Sequence, residues 1–401
     1  MTSSGAASIS FEGLAGQLNE IATPAALIDE TRMTRNIARM QERMGALGVR
    51  LRPHVKTPKC VEVARRQHGA GADGITVSTL KEAEQFFAAG FTDVLYAVAI
   101  VPAKLDRVLA LRRRGCRLTI IVDSVVAAQA VAAKGRQENH KLDVMIEIDC
   151  DGHRSGVDAD SDLLIEIGRT LGDGASLKGV MTHAGSSYEL DTPAALRALA
   201  EQERSYAVRA AERLRAAGLT CPEVSVGSTP TALSCASAAG VTEVRAGVYV
   251  FFDLVMVNIG VCSLDELALS VLTTVIGHQP DKGWAIVDAG WMAMSRDRGT
   301  QRQRTDYGYG MVCDAALNPI DDLLLTGTNQ EHGIVSRRDG LAHQDLADQD
   351  IARRLPIGTQ LRILPNHACA TGAQFSDYHL LTRAGGVQIC GVQIWRRFSG
   401  W

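Results

Sequence analysis

From Thr31 to about Gly247 the chain alternates short apolar runs with stretches whose apolar residues recur every three or four positions, at intervals of roughly 25 to 30 residues. The apolar runs predict eight strands: Val49 to Val55, Gly74 to Ser78, Asp93 to Val98, Leu118 to Val122, Asp143 to Ile148, Leu177 to Thr182, Glu223 to Val226 and Thr242 to Arg245. The stretches between them predict helices. Met33, Ile37, Met40, Met44 and Leu47 form one apolar stripe, and Thr79 with Glu82 reads as a capping box before a helix that stops at Gly90. Eight strands separated by helices point to a closed (β/α)8 barrel rather than an open doubly wound sheet, and a barrel carries its chemistry at the C-terminal ends of its strands.

After about Leu254 the pattern changes to alternating strand-like runs, including Leu267 to Ile276, Trp284 to Asp288 and Gln360 to Leu364, with little helical periodicity. The expectation is a second, mostly β domain. The strand-like Thr23 to Asp29 precedes the first barrel helix and is assigned to it, giving a barrel over 31–253 and a β domain over 14–30 plus 254–401.

At 401 residues the chain exceeds the size at which one core stops growing. Hydrophobic residues make up 46% and charged residues 22%, the balance of a globular enzyme rather than a disordered chain. A net charge of -3 gives no reason to invoke nucleic acid or an anionic membrane. Met1 to Gly13 lacks the pattern of a signal peptide, and no apolar run is long enough to span a bilayer. The nine scattered cysteines fit reduced thiols, so the expected location is cytoplasmic.

The run Arg52-Pro53-His54-Val55-Lys56-Thr57-Pro58-Lys59 puts Lys56 at a strand end, with Thr57 and Pro58 reading as N-cap and first helical residue. A lysine there is either a surface charge or an amine whose pKa falls in a pocket, where it becomes a Schiff-base nucleophile. Val226-Gly227-Ser228-Thr229-Pro230 is a strand end followed by a helix start, either a plain cap or a phosphate site. Arg245-Ala246-Gly247-Val248-Tyr249 follows the eighth strand and could complete a phosphate cup, since barrels bind phosphate after strands seven and eight. A lysine facing such a cup suggests pyridoxal phosphate, although lysine-based aldolases would use the same parts. In the β domain, His367 and Cys369 form a His-x-Cys pair whose side chains point the same way if the segment is extended. Imidazole with thiolate suits zinc, with two positions open.

Other patterns fail on context. Gly69-x-Gly71-x-x-Gly74 follows a helix and precedes a strand, the reverse of a dinucleotide fingerprint, and reads as a turn. Glu147, Asp149, Asp151 and His153 fit loop capping better than a metal cluster, and Arg112 to Arg114 read as a solvated helix end.

His54-Val55-Lys56-Thr57, Gly152-His153-Arg154-Ser155-Gly156-Val157, Thr182-His183-Ala184-Gly185, Gly227-Ser228-Thr229, Gln330-Glu331-His332-Gly333 and Asn366-His367-Ala368-Cys369 stand in an order and spacing that resembles the fold-type III pyridoxal phosphate enzymes of the D-serine dehydratase and D-threonine aldolase family. The likeness runs from Thr23 to Trp401. Thr182 to Leu190 and Val287 to Thr300 are most similar to the branch acting on D-threo-3-hydroxyaspartate. The resemblance implies an alanine-racemase-like barrel with a C-terminal β domain, a divalent metal beside the cofactor (zinc first; manganese, cobalt or magnesium otherwise) and a homodimer. It implies Lys56 as the Schiff-base lysine, Arg154 and His183 against the cofactor ring, Gly227, Ser228, Thr229, Gly247 and Tyr249 around the phosphate, and His367 with Cys369 on the metal. The implied reaction dehydrates a β-hydroxy-D-amino acid, D-threo-3-hydroxyaspartate or D-serine, to a 2-oxo acid and ammonia. The alternative is retro-aldol cleavage to glycine and an aldehyde, and Cys369 in place of an aspartate favours dehydration. A β-carboxylate would want a cation, for which Arg296, Arg298, Arg302 and Arg304 are the candidates.

Overall fold

A computed structural model describes residues 18–338, 348–384 and 388–401, so Met1 to Gly13 and positions 14–17 lie outside the described residues. The chain divides into two compact units. One comprises Asn36–Val250, Ile259–Val261 and Phe398–Trp401; the other comprises Phe251–Asn258, Cys262–Arg397 and the described part of Met1–Arg35.

Strand β1 (Ala25–Asp29) opens the described chain and belongs to the second unit, and helix α1 (Glu30–Ala46) leads into the first. Its stripe of Met33, Ile37, Met40 and Met44 is buried, as the spacing requires. There follow β2 (Arg50–Pro53), α2 (Val61–Gly69), β3 (Ile75–Val77), α3 (Leu80–Ala88), β4 (Asp93–Ala99), α4 (Leu105–Arg113), β5 (Arg117–Val122) and α5 (Val125–Gln137). The unit continues with β6 (Leu142–Asp149), α6 (Leu163–Leu171), β7 (Ala175–Thr182), α7 (Pro193–Ala216), β8 (Glu223–Val226), α8 (Thr229–Ser234) and β9 (Glu243–Ala246). All eight expected strands are present. They lie parallel in the order β2-β9-β8-β7-β6-β5-β4-β3, and a lone parallel bridge from His54 to Thr76 brings the two ends of the sheet together. The result is a near-closed (β/α)8 barrel. Leu95, Ile121, Met145 and Met181, one from each of β4 to β7, pack as one apolar layer.

The helix after Lys56 does not begin where Thr57 and Pro58 suggest. Val55 to Pro58 form a turn closed by the Lys59 amide on the Val55 carbonyl at 2.9 Å, and α2 starts at Val61 behind Cys60. Lys59 takes φ +42°, which no helix can continue through. The capping box at Thr79 is present, with the Glu82 amide donating to the Thr79 hydroxyl at 3.0 Å.

The second unit holds β10 (Leu269–Gln279), β11 (Trp284–Val287), β12 (Met311–Cys313), β13 (Pro319–Thr328), β14 (Gly333–Arg337), β15 (Gln360–Leu364), β16 (Asp377–Ala384) and β17 (Gln388–Arg396). Because β10 pairs with both β11 and β15, the run β10-β11-β14-β13-β12-β15 closes on itself as six antiparallel strands. Residues two apart on each strand, such as Ala285 and Val287, Leu323 and Leu325, or Leu361 and Ile363, fill its interior. β1 runs antiparallel to β10 and parallel to β16 in the same sheet.

Candidate active site

In the barrel unit Lys56 sits half-buried in the turn beyond β2. Two histidines come near it, His54 from the same strand end and His183 from another. His183, just past β7, places Nδ1 3.0 Å from the Gly227 carbonyl. A carbonyl only accepts, so Nδ1 carries the proton and Nε2 presents a lone pair. Burial, then the charge of Lys56, pushes the His183 pKa down to about 3, with Arg154 and Arg245 adding to the effect. His54 is likewise lowered well below its ordinary value, by burial first and then by Lys56, Arg245 and His183. Both rings are therefore neutral at pH 7. The His54 Nδ1 atom is buried with no hydrogen-bond partner, as are the Thr76 hydroxyl and the Gln67 side-chain oxygen.

The residues expected to form a phosphate cup lie in the loops after β8 and β9. Gly227 has φ +131°, and a Cβ there would stand 2.2 Å from the Arg245 carbonyl; a Cβ on Gly247 would meet the His54 carbonyl at 2.9 Å and the Thr57 hydroxyl at 3.1 Å. Only glycine lets the first loop approach β9, and the second the lysine turn, so closely. Ser228 caps α8, accepting from the Thr231 amide at 3.3 Å, with its hydroxyl 2.9 Å from that of Ser187. The Tyr249 amide donates to the Thr229 hydroxyl at 3.3 Å, whereas its phenol accepts from Gln67 of α2 at 2.9 Å. Arg245 does not complete the cup with its side chain: the guanidinium donates to the Ser225 hydroxyl and the Thr182 carbonyl, both at 2.5 Å, within the sheet. Arg154 is half-exposed, 4.0 Å from the buried Glu147 carboxylate. Asp149 and Asp151 cap loops, Asp149 accepting from Gly152 at 2.7 Å and Asp151 from the Ser186 amide at 2.8 Å.

A buried carboxylate not foreseen from the motifs braces this cup. Glu203 on α7 accepts from the amides of Ala184 at 2.9 Å and Gly227 at 3.1 Å, tying the loops after β7 and β8 together. Burial raises its pKa. Its signal in the sequence is its position: it falls on the apolar stripe Leu196, Leu199, Ala200, Ala207, Ala210 of its own helix, where a charge has no reason to be unless it is bonded.

In the β unit the His-x-Cys segment is not extended. His367 is the N-cap of a five-residue helix, Ala368–Gly372, and Cys369 lies in its first turn, yet the two side chains still interact. His367 Nδ1 lies 2.7 Å from the Asp297 carboxylate, so Nε2 is the ring nitrogen that could hold an ion. Burial works against a charge on His367, but Cys369 and Asp297 outweigh it and hold its pKa well above the ordinary value. Buried Asp253 accepts from the Ala368 amide at 2.9 Å, and burial lifts its pKa to about 6. Asn366 donates to the carbonyls of Asp297 at 3.2 Å and Gly308 at 2.8 Å, stitching the 297–308 loop to the pair. Among the described residues no group of three or more His, Cys, Asp or Glu converges as a metal cage. A nitrogen and a sulfur held by oriented partners fit a divalent ion with open positions. Of the four candidate arginines, Arg296 lies over Trp291 with 4.4 Å to the ring centroid, Arg298 pairs with Asp306 at 2.8 Å, and Arg302 and Arg304 are exposed.

Two family models match this chain: alanine racemase, N-terminal domain, over residues 28–255, and putative serine dehydratase domain over residues 268–381. D-threo-3-hydroxyaspartate dehydratase of Delftia sp. (strain HT23) is 67% identical over 381 residues, covering 94% of this chain and 98% of that protein. D-serine dehydratase of Dictyostelium discoideum is 31% identical over 385 residues, 91% of this chain and 94% of its own. The solved Delftia enzyme superposes with a TM-score of 0.92 over 96% of this chain and 99% of that one. A histidine-to-alanine variant of the dehydratase and a cysteine-to-alanine variant in a metal-free form give the same score.

Proposed function

Since the chain belongs to the family that joins an alanine racemase N-terminal domain to a putative serine dehydratase domain, we propose that it is a pyridoxal phosphate- and divalent-metal-dependent lyase. It eliminates water from a β-hydroxy-D-amino acid, D-threo-3-hydroxyaspartate or D-serine, and the resulting enamine takes up water again on hydrolysis to give a 2-oxo acid and ammonia. The observation that carries this reading is Lys56 at a strand end of the barrel, its charge bearing on two half-buried, neutral histidines beside a glycine-lined cup.

When bound, the cofactor supplies an electron sink for the α-carbon and the metal a Lewis acid for the departing hydroxyl. The chain's own residues do the rest. Lys56 Nζ holds the cofactor and, once displaced by substrate, takes the α-proton. His183, neutral with its proton on Nδ1, offers Nε2 as an acceptor beside the ring. Arg154 is the cation on that side. Gly227, Ser228, Thr229, Gly247 and Tyr249 enclose the phosphate, and Glu203, by accepting from the Gly227 amide, holds that loop in place. His367 and Cys369 hold the metal, Asp297 keeping His367 in the ligating tautomer. The histidine and cysteine replaced in the dehydratase variants stand two positions apart in that enzyme, the spacing of His367 and Cys369 here.

Zinc is the first choice of ion for an imidazole-thiolate pair, with manganese, cobalt or magnesium as alternatives. The same reading takes the barrel domain as 31–253 and the metal-carrying domain as 14–30 plus 254–401, and the enzyme as a cytoplasmic homodimer; no helix among the described residues is long and apolar enough to cross a membrane. The test is direct. The purified protein is incubated with D-threo-3-hydroxyaspartate, D-serine and D-threonine, and 2-oxo acid is assayed against aldehyde plus glycine. Aldehyde plus glycine as the main products would replace dehydration with the aldolase reaction.

A further inference from the structure

We propose that the last four residues, Phe398–Trp401, are a positioning clamp on the turn that carries Lys56. The inference rests on the reading of Lys56 as the cofactor-holding amine. Within the barrel unit, the tail grips Lys59, three residues from Lys56, through its backbone and its side chain. The Phe398 amide donates to the Lys59 carbonyl at 3.0 Å. The Phe398 ring stands edge-on to the buried Phe86 of α3, 4.9 Å between centroids at 73°. The Lys59 ammonium lies 3.1 Å from the buried Glu82 carboxylate and 5.8 Å from the centroid of the Trp401 ring. Glu82 in turn accepts from the Ser78 amide at 3.0 Å, so the lysine turn and the end of β3 share one anchor.

Two features separate a clamp from ordinary packing. Lys59 adopts φ +42°, a conformation that a side-chain-bearing residue keeps only where its surroundings over-determine it. The tail supplies one of those determinants, the donor to the Lys59 carbonyl. The tail is a small part of the core: Trp401 is 91% exposed, and the half-buried Phe398 contributes one aromatic contact, to Phe86. Without it the turn is free to relax toward negative φ, and Lys56 Nζ shifts against the loops of Gly227 and Gly247. A displacement of about 1 Å at such a group can lower a rate by as much as about a hundredfold.

The experiment compares the full chain with one ending at Arg397, with Phe398→Ala and with Phe398→Tyr. In the cofactor-free proteins, amide exchange at Lys59, whose N-H closes the turn on Val55, is expected to be faster by about tenfold in the shortened chain while exchange in β5 to β7 is unchanged. Titration with pyridoxal phosphate, followed by visible absorbance and by borohydride trapping on Lys56, should show affinity weaker by about tenfold, with kcat falling more than KM changes. Phe398→Ala should lie in the same direction and Phe398→Tyr close to the full chain. A folded shortened chain with unchanged exchange and unchanged titration overturns the clamp. So does loss of fold in both the shortened chain and Phe398→Ala, which would make the tail structural. If the full chain traps no cofactor on Lys56, the reading of that lysine fails instead, while the exchange data still report on the grip.

Discussion

The two units build their chemistry in opposite ways. The parallel barrel gathers Lys56, His183, Gly227 and Gly247 from strand ends far apart in the chain, and each is placed by the ladder it ends. The antiparallel unit keeps His367 and Cys369 within three residues and reaches out for support, to Asp297 and Asp253. One site is distributed with local anchors, the other local with distant anchors. Substitutions should hurt the first through the amine itself and the second through ligand orientation.

The largest expected effect tests the distributed site. Lys56→Ala should lower turnover by about a thousandfold or more and abolish borohydride trapping of cofactor; an unchanged rate would sink the reading. Next, His367→Ala, Cys369→Ala or a chelator should remove the metal, as read by elemental analysis, and stop dehydration while trapping at Lys56 persists. Asp297→Asn should weaken metal affinity by about 10- to 100-fold without that loss of trapping, because it frees His367 rather than deleting it. Smaller again is Glu203→Ala: two buried amides lose their acceptor, and stability should fall by about 1 to 3 kcal/mol in denaturant unfolding, with weaker cofactor binding.

A last test is the pH dependence of stability. His183 has a folded pKa of about 3 against an ordinary 6.5, so between these values the unfolded chain binds a proton that the folded chain does not. Stability from this group is complete above pH 6.5 and falls as the pH drops toward 3; His54 acts in the same direction. His183→Gln should flatten that part of the stability curve. An unchanged slope between pH 6.5 and 4 would show that burial of these rings is not what sets it.

The barrel was legible because parallel strands buried on both faces read as short apolar runs, and all eight fall where those runs predict. Lys56 stood out for the same reason, at the end of one run. Its following turn did not: Thr57-Pro58 has the letters of a helix start, and only the bond of Val55 to Thr76 on the neighbouring strand and the φ of Lys59 reveal otherwise. The closure of six antiparallel strands rests on pairings between distant segments that no local period encodes. Asp297 lies 70 residues from His367, so nothing in the spacing joins them. Glu203 could have been found, since a carboxylate on an apolar stripe is visible without coordinates.

The barrel's seam has one more implication. Seven of its eight joints are ladders, whereas β2 and β3 meet through a single bridge, His54 to Thr76, flanked by the bonds of Val55 to Thr76 at 2.9 Å and of Asp73 to Leu51 at 2.8 Å. The cask is hooped everywhere except beside one stave, and Lys56 rides at the tip of that stave. β2 keeps its full ladder to β9 on the other side, so this seam, with so few backbone bonds, is where the wall beside Lys56 should open first.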